Sequence, residues 1–187
     1  MHEVSAGLPG AMALAAGEID AALDQLLPAA EGDEARLFAA MRYSTIGGGK
    51  RLRGFLVLEG ARQFTVSREA ALRVACAIEM IHAYSLIHDD LPAMDDDDLR
   101  RGKPTNHKAF DEATAILAGD ALQTHAFTVL AGEETHPDPA VRIELVRLLA
   151  RAAGPRGMVG GQALDMAAET AAAPLDEAQI GRLQLLK

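Results

Sequence analysis

The sequence predicts an all-α fold, and three observations carry that expectation. Aromatic residues are only 4% of the 187 and Trp is absent, while Ala, Leu, Met and Glu are plentiful, a composition that favours helices over strands. Apolar residues make up 49%, enough to bury a core within one domain of ordinary size. No segment alternates with a period of two for long, whereas apolar positions recur at helical spacing.

Glycine and proline divide the chain into helices predicted over 11–29, 33–46, 52–64, 67–91, 109–131, 138–153, 155–170 and 175–187. The breaks fall at Gly47-Gly48-Gly49, Leu91-Pro92, Gly102-Lys103-Pro104, Pro137-Asp138-Pro139 and Ala173-Pro174. With neither repeats nor a linker, residues 1–187 are expected to form a single helical domain. The block from Glu69 to Leu91 is apolar almost all round, which marks a buried helix. Its polar residues Glu79, His82, Ser85 and Asp89 follow one another at three, three and four positions, so they form one stripe. That stripe predicts a polar-lined central cavity.

Lys and Arg total 18 against 27 Asp and Glu, a formal charge of −9, which argues against nucleic-acid binding and makes any basic cluster a local device. Cys76, the one cysteine, falls in an apolar helical run and is expected to be a buried, inert thiol in a reducing cytoplasm. His2 and Glu3 stand where a signal peptide would carry basic residues, so none is expected. No uninterrupted apolar run approaches membrane-spanning length, and no membrane partner is expected.

The chemistry concentrates after the buried helix. From Asp89 to Asp98 six carboxylates fall within ten residues, Asp89, Asp90, Asp95, Asp96, Asp97 and Asp98. Such a cluster repels itself unless it is neutralised. Pro92 would clash with the His88 carbonyl in a continuing helix, so the chain should loosen there and let Asp95 turn back towards Asp89. An acidic helix end facing a cavity suits magnesium, which takes one or two carboxylates and completes its octahedron with water and substrate phosphate. The plainer reading is a solvated acidic loop. Arg100, Arg101 and Lys103 follow at once, so acid beside base suggests a magnesium diphosphate, with local salt bridges as the alternative. A second basic element, Gly47-Gly48-Gly49-Lys50-Arg51-Leu52-Arg53-Gly54, joins two helices, with Lys50 and Arg53 spaced to share a face near a helix N-terminus. His82, two helical turns before Asp89 on the same stripe, can reach a bound phosphate or be structural.

Together these residues resemble the trans-prenyltransferase family, in particular the bacterial farnesyl diphosphate synthase type, whose first aspartate-rich motif has four residues between the paired and the final Asp. Here it is Asp89-Asp90-Leu91-Pro92-Ala93-Met94-Asp95. The likeness runs from about Tyr43 to Lys187 and takes in Gly49-Lys50-Arg51-Leu52-Arg53, the stretch from Ile81 to His107, Leu117-Ala118-Gly119-Asp120-Ala121-Leu122 and Gly160-Gly161-Gln162-Ala163-Leu164-Asp165.

The resemblance implies an isoprenoid-synthase-type helical bundle around a central cavity, and a homodimer. It implies that Asp89 and Asp95 bind magnesium, with about two or three ions in the complete enzyme. Arg100 and Lys187 would hold an allylic diphosphate, and Lys50, Arg53, His82 and Arg101 isopentenyl diphosphate. Tyr84 lies five residues before Asp89, about 7.5 Å down the helix, where the family places the floor that stops chain growth. Bulky Tyr84 beside small Ser85 implies a fifteen-carbon product, and a twenty-carbon synthase is the nearest alternative. The family's second aspartate-rich motif has no counterpart after Asp98, so the sequence is expected to be the front part of a longer synthase, or else a protein inactive alone. A class I terpene cyclase would not need Lys50, Arg53 and His82. A non-catalytic, prenyl-diphosphate-binding partner subunit stays as a further alternative, permitted by the missing second motif, though such a subunit has no reason to keep the whole first one.

Overall fold

The computed structural model describes residues 7–171 and 173–187; His2 and Glu3 lie outside them. The chain divides into two units, Met1–Pro137 and Asp138–Lys187. Both are helical, as the composition predicts.

In the first unit the helices are α1 (Leu8–Leu26), α2 (Ala35–Thr45), α3 (Leu52–Gln63), α4 (Arg68–Asp89), α5 (Asn106–Ala109) and α6 (Glu112–Ala131). α4 is central because it is apolar all round: α1, α2, α3 and α6 all pack against it. Ser67 starts it by accepting the Ala70 N–H at 3.2 Å. Its length and composition would also allow a membrane crossing, but 56% of its most apolar window is buried inside the protein, as a core helix requires. Small residues are buried on both helices, Ala71, Ala75 and Ala83 on α4 and Ala115, Ala118, Gly119 and Ala126 on α6. Ile19 and Leu23 of α1, Leu58 of α3, Met80 and Leu122 fill the remaining core. Each such side chain contributes about 1.5–3 kcal/mol.

Between α4 and α6 the chain makes the structures that matter for chemistry. α4 stops at Asp89, and the segment through Pro92 folds back so that the Asp95 N–H donates to the Asp89 carbonyl at 2.8 Å. A short antiparallel hairpin follows, β1 (Leu99–Arg100) with β2 (Lys103–Pro104), closed by Arg101 and Gly102 at φ 54° and 79°. Positive φ at both turn residues matches the right-handed twist of the strands, and glycine takes it without strain. The block predicted over 109–131 is α6, which starts three residues later than expected, after the short α5 has ended at Ala109, because Asp111 turns away from helical geometry and caps α6 by accepting the Thr114 N–H at 2.7 Å.

The second unit holds α7 (Pro139–Ala153), α8 (Met158–Glu169) and α9 (Glu177–Leu186). Asp138 caps α7, and Asp176 with Gln179 forms a capping box on α9. At Gly161 an added Cβ would stand 2.6 Å from the Lys187 backbone nitrogen, so glycine lets α8 and the end of α9 come together.

Candidate active site

Two neighbouring cavities open beside the C-terminal half of α4. The smaller, about 270 Å³, is lined by Lys50, Arg53, His82 and Arg101 among others. The larger, about 560 Å³, adds Asp90, Arg100 and Lys103. They share the wall formed by Ser44, Gly49, Lys50, Ala83, Leu86 and Arg101. In a chain of net charge −9, this concentrates cations on one concave surface suited to a polyanion.

The smaller cavity thus gathers four residues that the sequence singled out from three separate segments. Lys50 precedes α3 instead of sharing a helical face with Arg53, since α3 begins at Leu52. Arg51, the residue between, takes a left-handed φ of 49° that turns the chain, and this conformation, not helical spacing, brings Lys50 and Arg53 to one cavity. Arg53 Nη1 lies 3.5 Å from His82 Nε2. Burial, and then the Arg53 charge, lower the His82 pKa to about 4, so the imidazole is neutral at pH 7. Arg101 donates to the Gly48 carbonyl, tying the hairpin to the glycine turn. An added Cβ on Gly49 would sit 3.0 Å from that guanidinium.

A buried ion pair behind this surface was not singled out from the sequence. Arg51, 6% exposed, donates from Nη1 to Glu79 Oε2 at 3.3 Å, from Nη2 to Asp20 Oδ1 at 2.5 Å and to the Thr45 carbonyl at 2.5 Å. Glu79 stood out only as one member of the polar stripe. Nothing local to Asp20 or Arg51 announces the contact across 31 residues.

The stripe divides as the structure is followed upward. Glu79 and His82 line the smaller cavity, while the Ser85 hydroxyl donates to the His82 carbonyl at 2.9 Å on its own helix. Tyr84 is buried and packs edge-on against His88, ring centroids 5.6 Å apart. His88 in turn bonds the Ile116 carbonyl at 3.1 Å, filling a notch that only Gly119 leaves open.

At the helix end, the three aspartates of the motif part company. Asp90 is buried and paired with Arg100 at 2.5 Å, which raises the guanidinium pKa; Arg100 also reaches Asp97 at 3.4 Å. Asp98 pairs with Lys108 at 2.8 Å, so some local salt bridging between the acidic and basic runs is real. Lys187 lies in the second unit, where it pairs with Asp165. Among the described residues no three His, Cys, Asp or Glu side chains converge to hold a metal. What the backbone draws together is Asp89 and Asp95. Two carboxylates completed by water and phosphate oxygens are a donor set magnesium accepts, so the residues fit that ion when it arrives with a diphosphate.

Residues 34–180 match the family profile described as polyprenyl synthetase. The chain belongs to the polyprenyl synthetase family. This polyprenyl synthetase chain is 53% identical over 160 residues to the farnesyl diphosphate synthase of Geobacillus stearothermophilus, a match covering 85% of the chain and 54% of that protein. It is 47% identical over 154 residues to the large subunit 1 of a heterodimeric geranylgeranyl pyrophosphate synthase of Arabidopsis thaliana, covering 81% and 41%. Its fold superposes on the crystal structure of an FPP/GFPP synthase from Zymomonas mobilis with a TM-score of 0.91 at 59% identity, covering 94% of this chain and 63% of that one. The chain spans about half the length of the curated relatives it matches.

Proposed function

We propose that the protein is a magnesium-dependent trans-prenyltransferase that adds isopentenyl diphosphate to dimethylallyl diphosphate, and then a second one to the geranyl diphosphate formed, to give farnesyl diphosphate with one diphosphate released at each addition. The observation that carries this reading is the convergence of Lys50, Arg53, His82 and Arg101 on one cavity in a polyprenyl synthetase chain. Residues 1–187 are then part of a single prenyltransferase domain, working as a homodimer in a reducing cytoplasm.

In this reading Lys50, Arg53, His82 and Arg101 hold isopentenyl diphosphate. The guanidinium forks bind its oxygens in pairs, and neutral His82 adds a hydrogen bond without adding charge. Arg100, in the wall of the larger cavity, holds the allylic diphosphate. Asp89 and Asp95 hold magnesium, which when bound offsets the charge developing on the departing diphosphate. The allylic C–O bond breaks with its electron pair on that diphosphate. The isopentenyl double bond then supplies the pair for the new C–C bond, and the released diphosphate takes the proton lost as the double bond re-forms. Ala83 and Leu86 give both cavities an apolar wall that keeps water from the cation. Tyr84, with Ser85 beside it, limits the product to fifteen carbons.

The test is turnover of geranyl and isopentenyl diphosphates with magnesium, with the product identified by mass. A fifteen-carbon diphosphate should form, and Asp89→Ala should lower turnover by about 100-fold or more. Absence of product, or product indifferent to Asp89→Ala, overturns the reading.

A further inference from the structure

We infer that Glu79 and Arg51 are positioning residues for the smaller cavity: their buried ion pair sets the 49–54 segment so that Lys50 and Arg53 face the same anion. The inference rests on the diphosphate reading of that cavity. A carboxylate in the wall of an anion site repels the ligand unless the protein answers its charge. Glu79 is such a carboxylate, 3% exposed and lining the cavity. Both of its oxygens are engaged by the segment that carries the cations. Oε1 accepts the Gly54 N–H at 2.9 Å, and Oε2 accepts Arg51 Nη1 at 3.3 Å.

The register explains why those two grips matter. Lys50 and Arg53 are each the residue immediately before a gripped one, so fixing Arg51 and Gly54 fixes the starting points of both cationic side chains. Arg51 itself holds a left-handed backbone, which a residue with a Cβ keeps only when its surroundings require it. Those surroundings are three other elements: α1 through Asp20, the end of α2 through the Thr45 carbonyl, and α4 through Glu79. Gly54 allows the approach, because a Cβ there would lie 2.6 Å from Ile19 Cδ1 and 3.4 Å from Glu79 Oε1. Glu79 is thus joined to the chain at 51 and 54, and the anion is left to Lys50 and Arg53.

The sign of one substitution separates positioning from simple electrostatics. Glu79→Gln keeps an oxygen for the Gly54 N–H and removes a negative charge from the cavity wall. Electrostatics alone therefore predicts tighter binding of an anion, and a pair that serves only stability predicts no change in the folded protein. Positioning predicts weaker binding, by about tenfold, as the arms of Lys50 and Arg53 separate. Calorimetric titration of the whole chain with isopentenyl diphosphate, beside Lys50→Ala and with folding verified by circular dichroism, reads this directly. If wild type binds nothing, or Lys50→Ala binds as well as wild type, the diphosphate reading falls and takes the inference with it. If Lys50→Ala weakens binding but Glu79→Gln leaves it unchanged or tightens it, the inference alone is overturned. Should Glu79→Gln not fold, Asp20→Asn removes the outer partner of the same guanidinium, whose side chain is 33% exposed. Weaker binding there supports the inference, and unchanged or tighter binding overturns it.

Discussion

Arg100 reaches Asp90 at 2.5 Å and Asp97 at 3.4 Å, and the two contacts are far from equal. The Asp90 side chain is 4% exposed and cannot turn to water if its partner goes, whereas Asp97 is 52% exposed. Arg100→Ala should therefore cost about 2–3 kcal/mol by stranding a buried carboxylate, and Asp97→Ala less than about 0.5 kcal/mol. Urea titrations of the two variants check this, and equal losses would mean that the Asp90 pair contributes no more than a surface one. His82 supplies a pH signature at the same scale. Its pKa falls from 6.5 to about 4 on folding, through burial first and Arg53 second. Between those values the unfolded chain takes up a proton that the folded protein refuses, so stability is highest above pH 6.5 and declines as pH drops towards 4. His82→Gln removes that contribution, and its unfolding midpoint should vary less with pH over the same window. Parallel curves for the two proteins would contradict the assignment.

Among the elements, the seam between α4 and α6 depends on Gly119. A Cβ there would lie 2.1 Å from His88 Nε2, against a ring held by the Ile116 carbonyl. Gly119→Ala should lose about 1–3 kcal/mol by overpacking, and adding His88→Ala should recover part of the loss by emptying the same space. Denaturant midpoints of the single and double variants decide it. The helices themselves were legible because glycine and proline punctuate the chain between them; where α4, α6, α7 and α9 begin is set by the side-chain oxygens of Ser67, Asp111, Asp138 and Asp176. The fold-back of Asp95 onto Asp89 was legible for a similar reason, a proline three residues past the helix end. The hairpin over 99–104 was read only as a break, since two-residue strands have no periodicity and Arg101 is an unusual residue for a positive φ. The meeting of Lys50 with Arg53 was foreseen for the wrong reason. The left-handed turn at Arg51 is set by Asp20 and Glu79, at sequence distances of 31 and 28, which local spacing does not register.

For the molecule as a whole, an acidic protein with a cationic cavity should respond to anions selectively. At about 100 times its dissociation constant, inorganic diphosphate should add about 2.7 kcal/mol of stability, by binding the folded state alone. The gain in melting temperature should shrink as salt rises and as Lys50 is replaced by Ala. A gain that ignores both would place the anion elsewhere. Cys76, the chain's single thiol, is fully buried with its Sγ 3.8 Å from the Ile19 carbonyl, and burial raises its pKa to about 12. A thiol reagent in the solvent meets no reactive thiolate until α1 lifts away from α4. The rate at which Cys76 is labelled is then a clock for that opening, carried by the native sequence, and any ligand that holds the two helices together will slow it.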